Sequence, residues 1–334
     1  MNLSSCKYSV GVDIGGTNIT VALVNMQGRI IREIKYSTDI KMEVSLFVKQ
    51  LADKLAEVIM NVPVKFIMGI GIGAAGLIDH EKGSIKYSPN MYKKNVPLLD
   101  LLKTAMRKLN VNGLAELPVF LENDANVAAW GAYQLEVESR VKDLICITLG
   151  TGVGGGIIIG GEIYHGVAGC AGEIGHMTVE PDGPKCSCGN HGCLESYIGA
   201  GNIVNRAIAE IKKGKSTMLK KIAGGNLNRL TVKDIAEAAK KNDKLAKKIW
   251  DETGEYLGKT VASVINLINP EVIVFCGGVS HAGSLFLIPM KKVIVERSFV
   301  SHRKAVKYII SRLSNNLGVV GAALLVRQIN DKKK

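Results

Sequence analysis

Residues 8–25, YSVGVDIGGTNITVALVN, decide the fold. Tyr8–Ile14 is an apolar run of strand length, Gly15-Gly16-Thr17-Asn18 is a turn, and residues 19–25 are a second apolar run. Gln27-Gly28 turns the chain again before residues 29–37. Strand-length runs separated by glycine turns predict an antiparallel meander. The same order returns downstream. Leu144–Leu149 (LICITL) runs into the glycine-rich turn 150–156, then residues 157–159, then Gly160-Gly161. A unit that starts at residue 8 and again at residue 144 predicts two related α/β domains facing each other across a cleft.

Around these units the pattern alternates. Residues 44–60 place Val44, Phe47, Val48, Leu51, Leu55, Val58 and Ile59 on one stripe, which predicts a helix. Short buried strands are expected at 66–71, 119–122, 272–276 and 306–311, with a loop at 73–76. Helices are expected over 125–133, 194–213 and 318–329. Thr231 and Asp234 have capping-box spacing before the helix 235–241, and Asp243 is placed to cap a long helix through Ile265.

At 334 residues the chain is long enough for about two domains. No run of about 18 apolar residues escapes charge or glycine punctuation, so no transmembrane helix is expected. The start, MNLSSCKYSVG, has no charged region followed by a long apolar one, so no signal peptide is expected and a reducing cytoplasm is the expected compartment. Seven cysteines are too few for a disulfide scaffold. The net charge of +13 raises the question of nucleic acid. Between Lys212 and Lys248, however, twelve Lys/Arg and three Asp/Glu leave +9 on one helical, aromatic-poor stretch. That reads as a solvated lysine-rich face, and no nucleic-acid or membrane partner is expected.

Three features carry chemistry. Glycine turns with Asp13, Thr17 and Thr151 suit a polyphosphate: backbone N–H groups approach its oxygens without a Cβ in the way, and a strand-end carboxylate can hold Mg²⁺ through water. No Walker loop occurs, so this is a different phosphate device. Second, Cys186, Cys188 and Cys193 lie within eight residues of a Gly/Pro-rich loop, with His176 ten positions upstream. Three thiolates and an imidazole make a closed tetrahedral zinc set, which predicts a structural metal; His191 is the alternative fourth ligand. Cys6, Cys146, Cys170 and Cys276 sit in apolar or small-residue contexts, where buried packing is expected for most. Third, Asn123-Asp124 follows a strand end, where reactive groups of α/β proteins gather, and Glu173 and Glu195 flank the cysteine loop.

Taken together, Asp13-Ile-Gly-Gly-Thr17, Glu122-Asn-Asp-Ala125, Leu149-Gly-Thr-Gly-Val-Gly-Gly-Gly156, Gly172-Glu-Ile-Gly-His176, Cys186-Ser-Cys-Gly-Asn-His-Gly-Cys-Leu-Glu195 and Gly277-Gly278 resemble the ROK family of sugar kinases and regulators, in the actin/hexokinase-like ATPase superfamily. The resemblance implies two actin-like (ribonuclease H-like) domains. The smaller is expected over 1–122, completed by the C-terminal helix 315–334, and the larger over 123–314. It also implies ATP-dependent phosphorylation of a hexose 6-hydroxyl, glucose first, with N-acetylmannosamine or another hexose as the alternative; the basic face leaves polyphosphate open as the donor. Asp124 would be the catalytic base. Gly76, Asn123, Asp124, Glu173, His176 and Glu195 would bind the sugar. Asp13, Gly15, Gly16, Thr17, Thr151 and Gly152 would hold phosphates and Mg²⁺, and Gly277 and Gly278 would approach adenosine. His176, Cys186, Cys188 and Cys193 would hold zinc, leaving the second nitrogen of His176 for a sugar oxygen. A homodimer or higher homo-oligomer is the family expectation. A sugar-responsive repressor is the other function the family allows; with twelve residues before Asp13 in this sequence, its DNA-binding module is not expected. The family often has proline where this chain has Ala75.

Overall fold

The computed structural model describes residues 7–39, 42–88, 93–109 and 111–332. Cys6 and the last two lysines lie outside them. The elements run β1 (Tyr8–Ile14), β2 (Asn18–Asn25), β3 (Ile30–Ser37), α1 (Val44–Val58), β4 (Ile67–Ala74), β5 (Leu77–Asp79), β6 (Ser84–Ser88), β7 (Lys93–Val96), α2 (Leu98–Arg107), β8 (Val119–Asn123) and α3 (Asp124–Leu135). They continue with β9 (Leu144–Leu149), β10 (Val153–Ile159), β11 (Glu162–Ile163), α4 (Glu195–Ile198), α5 (Ala200–Lys212), α6 (Leu219–Ile222), α7 (Val232–Lys240) and α8 (Lys244–Ile268). Last come β12 (Val272–Cys276), α9 (Ser284–Arg297), α10 (Val300–Ala305), β13 (Lys307–Ile310) and α11 (Leu317–Lys332).

Two five-stranded sheets share one topology, β3-β2-β1-β4-β8 and β11-β10-β9-β12-β13. In the first, β1 pairs antiparallel with β2 and parallel with β4, which pairs parallel with β8. In the second, β12 pairs parallel with both β9 and β13. The repeat legible at residues 8 and 144 is therefore a repeat of strand order. By contacts the chain divides into two compact units, Met1–Lys142 with Gly156–Ala171 and Asn316–Lys334, and Asp143–Gly155 with Gly172–Asn315. The chain passes from the second to the first inside β10.

In the first unit β4 is buried along its whole length, which is why IMGIGIGA contains nothing polar. The apolar stripe of α1 (Phe47, Val48, Leu51, Leu55, Val58) joins Val10, Val12 and Ile72 in one core. On the other side α11 lies against β1 and β4 so closely that a Cβ on Gly11 or Gly71 would overlap the carbonyl oxygens of Val319 and Ala322. The same helix meets α3: a Cβ on Gly131 would lie 3.1 Å from the Cα of Gly321. That contact places α3 in the first unit, which thus runs on past the boundary expected at residue 122.

Other boundaries moved for local reasons. β4 continues through Gly73 and Ala74, expected as loop, because both residues have ladder partners on β1 and β8. β10 starts at Val153, within the glycine run. There a Cβ on Gly155 would press on the Gly172 carbonyl and Ile174, so glycine is what lets the strand pass. The single helix expected over 194–213 is two, broken at Gly199, whose extended backbone (φ −57°, ψ 144°) lets the Ala200 N–H donate to the Gly150 carbonyl. The hairpin strands at 77–96, α2 and α9 had no reading in the sequence. The capping box at Thr231/Asp234 and the Asp243 cap both form. Among the described residues no helix is long and apolar enough to cross a membrane.

Candidate active site

At the end of β8 the chain changes from strand to helix within one residue. Asn123 is the N-cap of α3: its Oδ1 accepts from the Ala125 and Asn126 N–H groups at 2.8 and 3.2 Å, satisfying donors that every helix start leaves open. Its Nδ2 donates to the Gly76 carbonyl at 3.1 Å. Gly76 has φ +118°, and a Cβ there would meet the Ser88 Cα at 2.9 Å, so only glycine brings that carbonyl to Asn123. Asp124 is the first residue of α3, and its Oδ1 accepts from the Ala125 N–H at 2.9 Å.

Asp13, on β1, is in register with Gly73, whose added Cβ would lie 3.6 Å from the Asp124 Cα. The Asp13 carboxyl also packs on Gly318 at the start of α11, where a Cβ would come within 2.7 Å of Oδ2. Burial first, and the Asp124 charge second, push Asp13 up to about 7 against the pull of Lys35. The Asp124 charge thus acts on the Asp13 carboxyl, and a cation beside Asp13 would relieve that repulsion. Gly15, Gly16 and Thr17 form the turn beyond Asp13, held by the Gly15 N–H to the Asn18 carbonyl at 3.1 Å; Gly16 and Thr17 are exposed.

In the second unit the corresponding turn follows β9. Thr151 and Gly152 sit at its tip, the Gly154 N–H donates to Thr148 Oγ1 at 3.1 Å, and the Val153 N–H donates to Glu195 Oε2 at 2.9 Å. A Cβ on Gly152 would overlap that carboxylate oxygen. Glu195 thus has one oxygen on the glycine turn, while Ser187 Oγ approaches the other at 3.4 Å. After β12, Gly277 (φ +87°) lies against the Leu149 backbone, and an added Cβ on Gly278 would meet nothing within 4 Å, which leaves open space beside it.

The cysteine loop closes on itself. One ligand atom from each of His176, Cys186, Cys188 and Cys193 lies within 4.8 Å of the others. Zn–S bonds of about 2.3 Å in a tetrahedron require S···S edges of about 3.8 Å. Cys188 and Cys193 sulfurs are 3.7 Å apart, and His176 Nδ1 is 3.6 Å from the Cys186 sulfur. Hydrogen bonds from the Cys188 N–H and neighbouring side chains hold Cys186 down at about 6 despite its burial, whereas burial and the adjacent thiols push Cys193 up to about 12. Without a cation the sulfurs resist ionising together; the donor set fits Zn²⁺. His191 is exposed and outside this set. The second ring nitrogen of His176 points toward Glu173, 3.9 Å from Oε2, and the Glu173 side chain is 60% exposed. Of the other described cysteines, Cys146 and Cys276 are buried with sulfurs 3.7 Å apart, as the packing expectation for most of them has it, and Cys170 is exposed.

The first unit therefore gathers Asp13, Gly76, Asn123 and Asp124, and the second gathers Thr151, Gly152, Glu195 and the metal ligands. Sequence reasoning missed Glu122, although it belongs to the Glu-Asn-Asp motif, and His165. Glu122 is 5% exposed and accepts hydrogen bonds from the Asn123 N–H (2.8 Å), Asn126 Nδ2 (3.0 Å) and His165 Nε2 (2.7 Å). Burial opposes its charge, but these donors, His165 foremost, outweigh it and hold the carboxyl below the usual range. For Glu122 the signal was adjacency to Asn123; His165 had none.

The ROK family model matches residues 9–329. The chain is 36% identical to a glucokinase from Halalkalibacterium halodurans, over 97% of this chain and 96% of that one. It is 32% identical to a xylose repressor from Caldicellulosiruptor bescii, over 95% of this chain and 77% of that protein. Among solved structures, a ROK family glucokinase from Streptomyces griseus in complex with glucose and AMPPNP superimposes with a TM-score of 0.82 at 34% identity, covering 96% of this chain and 99% of that one.

Proposed function

Because this chain belongs to the ROK family, we propose that it transfers the terminal phosphoryl group of ATP to the 6-hydroxyl of glucose. The observation that carries this reading is its similarity to glucokinases along nearly the full length of both chains. The local geometry supports it. Phosphoryl transfer needs alignment and charge stabilisation more than covalent help. Asp124 accepts the proton of the attacking sugar hydroxyl, a role worth about 10²–10⁴-fold in rate. Asn123, locked by its N-cap bonds and by Gly76, orients the sugar beside it. Glu173, His176 and Glu195 supply further sugar contacts, as the resemblance to the family implies. Asp13, Gly15, Gly16, Thr17, Thr151 and Gly152 hold the phosphates, and Gly277 and Gly278 leave room for adenosine. Mg²⁺ at Asp13 supplies charge neutralisation on the phosphates.

Zn²⁺ in the His176, Cys186, Cys188 and Cys193 set is structural, since four protein ligands leave no open position for water. It supplies rigidity. His176 uses Nδ1 toward the metal, which leaves the Nε2 face for Glu173 and a sugar oxygen. The enzyme works in the cytoplasm, where thiols stay reduced, and as a homodimer or higher homo-oligomer as in its family.

Similarity to a xylose repressor supports a second reading, a sugar-responsive regulator without turnover. A coupled ADP-release assay across a hexose panel, with ATP and polyphosphate as donors, separates the two. Glucose with ATP is expected to be the best pair. Asp124→Asn is expected to abolish turnover while glucose still binds by calorimetry. Near-normal turnover of that variant refutes the base assignment; absence of turnover with every hexose refutes the kinase reading.

A further inference from the structure

We propose that Glu122 and His165 form a positioning dyad that holds the Asn123–Asp124 segment in its reactive place. The proposal rests on the reading of Asp124 as the base. The Glu122 carboxylate is nearly buried, and all three of its donors come from groups that bear on this segment. Oε1 takes the main-chain N–H of Asn123 at 2.8 Å and Asn126 Nδ2 at 3.0 Å, so it grips both the last strand residue and the first turn of α3. Oε2 takes His165 Nε2 at 2.7 Å. An ionised carboxylate only accepts, so Nε2 of His165 carries the proton of this bond.

His165 arrives from a distant part of the chain, just after β11, and its ring stacks on His80 with centroids 4.2 Å apart. His80 follows β5, a short strand in the hairpin that also supplies the Gly76 neighbours Tyr87 and Ser88. The dyad therefore ties three segments of the first unit to one point, the peptide N–H preceding the base. Beside it lies a cavity of about 590 Å³, lined also by Glu81, Glu162 and Gln328. Without the His165 donor, the carboxylate of a residue only 5% exposed loses one partner, and the nearest relief is to rotate toward that cavity. The same rotation withdraws the other oxygen from the Asn123 N–H. Misplacement of a reacting group on the ångström scale costs up to about a hundredfold in rate.

The test is steady-state kinetics with glucose and ATP, run beside melting curves. His165→Phe keeps the ring against His80 and deletes the donor. It should lower kcat by roughly tenfold or more while the glucose KM moves less than about threefold. His165→Gln restores an N–H donor and should recover most of kcat. Glu122→Gln should lower kcat similarly, and the double variant Glu122→Gln/His165→Phe should be no slower than the slower single variant, as two halves of one device are. Glu122→Gln alone carries the reading if the Phe variant fails to fold. The proposal is overturned by a normal kcat in His165→Phe and Glu122→Gln, by additive losses in the double variant, or by losses that track melting temperature equally in the Phe and Gln variants. Asp124→Asn runs in parallel: if it is inactive while the dyad variants are normal, only the dyad falls; if it is active, the base reading falls and the dyad with it.

Discussion

Replacing Asp13 with asparagine should stabilise the ligand-free protein above about pH 7 and leave it unchanged near pH 4. In the folded chain Asp13 is wedged between β4 and Gly318, with the charge of Asp124 nearby, and titrates at about 7 rather than 3.8. Between those values the folded state binds a proton that the unfolded state has released. Stability therefore falls as pH rises through this window and levels off above it. A displacement of about three units corresponds to a ceiling of about 4 kcal/mol at about 1.4 kcal/mol per unit. If relaxation of the site relieves half, about 2 kcal/mol remains, a rise of several degrees in melting temperature. Asparagine keeps the shape and removes the charge. Thermal melts of both proteins in a chelating buffer, from about pH 4.5 to 8.5, should show curves that separate progressively with pH, the variant on top. Added Mg²⁺ with AMPPNP should raise the natural protein and leave Asp13→Asn nearly unmoved. A variant that melts lower at high pH, or an offset constant across the whole range, would refute the reasoning.

Two further outcomes are expected. Gly152→Ala drives a methyl group into the Glu195 carboxylate and breaks its 2.9 Å bond from the Val153 N–H, so AMPPNP affinity by calorimetry should fall roughly tenfold, the scale of one charge-assisted hydrogen bond, while folding survives. Metal analysis of the purified protein should find about one zinc per chain, and strong chelation or Cys193→Ser should lower the melting temperature by several degrees; a metal-free protein of unchanged stability would remove the metal from the account.

The first sheet's meander, its copy after residue 144 and the cysteine loop were legible because each is written in consecutive residues: apolar runs of strand length, glycine turns, thiols at short spacing. The capping residues Thr231 and Asp243 were legible for the same reason, since a cap acts within three residues. What resisted reading depends on distant partners. α3 looked like the opening of the second domain until Gly131 met Gly321 on α11, 190 positions away. Gly199 looked like a helix interior until the turn at Gly150 needed its amide neighbour.

Asp124 and Asn123 were visible in the sequence as reactive residue types at a strand end, whereas what holds them was not. Glu122 gains its role from His165, 43 positions on, and no local periodicity links the two. The sequence by itself determined the strands of the two meanders, the glycine turns and thiol spacing that suit phosphate and metal, and which family the chain resembles, because those properties follow from short-range pattern. Only the tertiary structure decided which nitrogen of His176 faces the sulfurs, that Glu195 turns one oxygen onto the Val153 amide, and that Asp13 feels the charge of Asp124. Hydrogen bonds and Coulomb forces depend on distance in space, and folding brings together atoms that the chain keeps far apart.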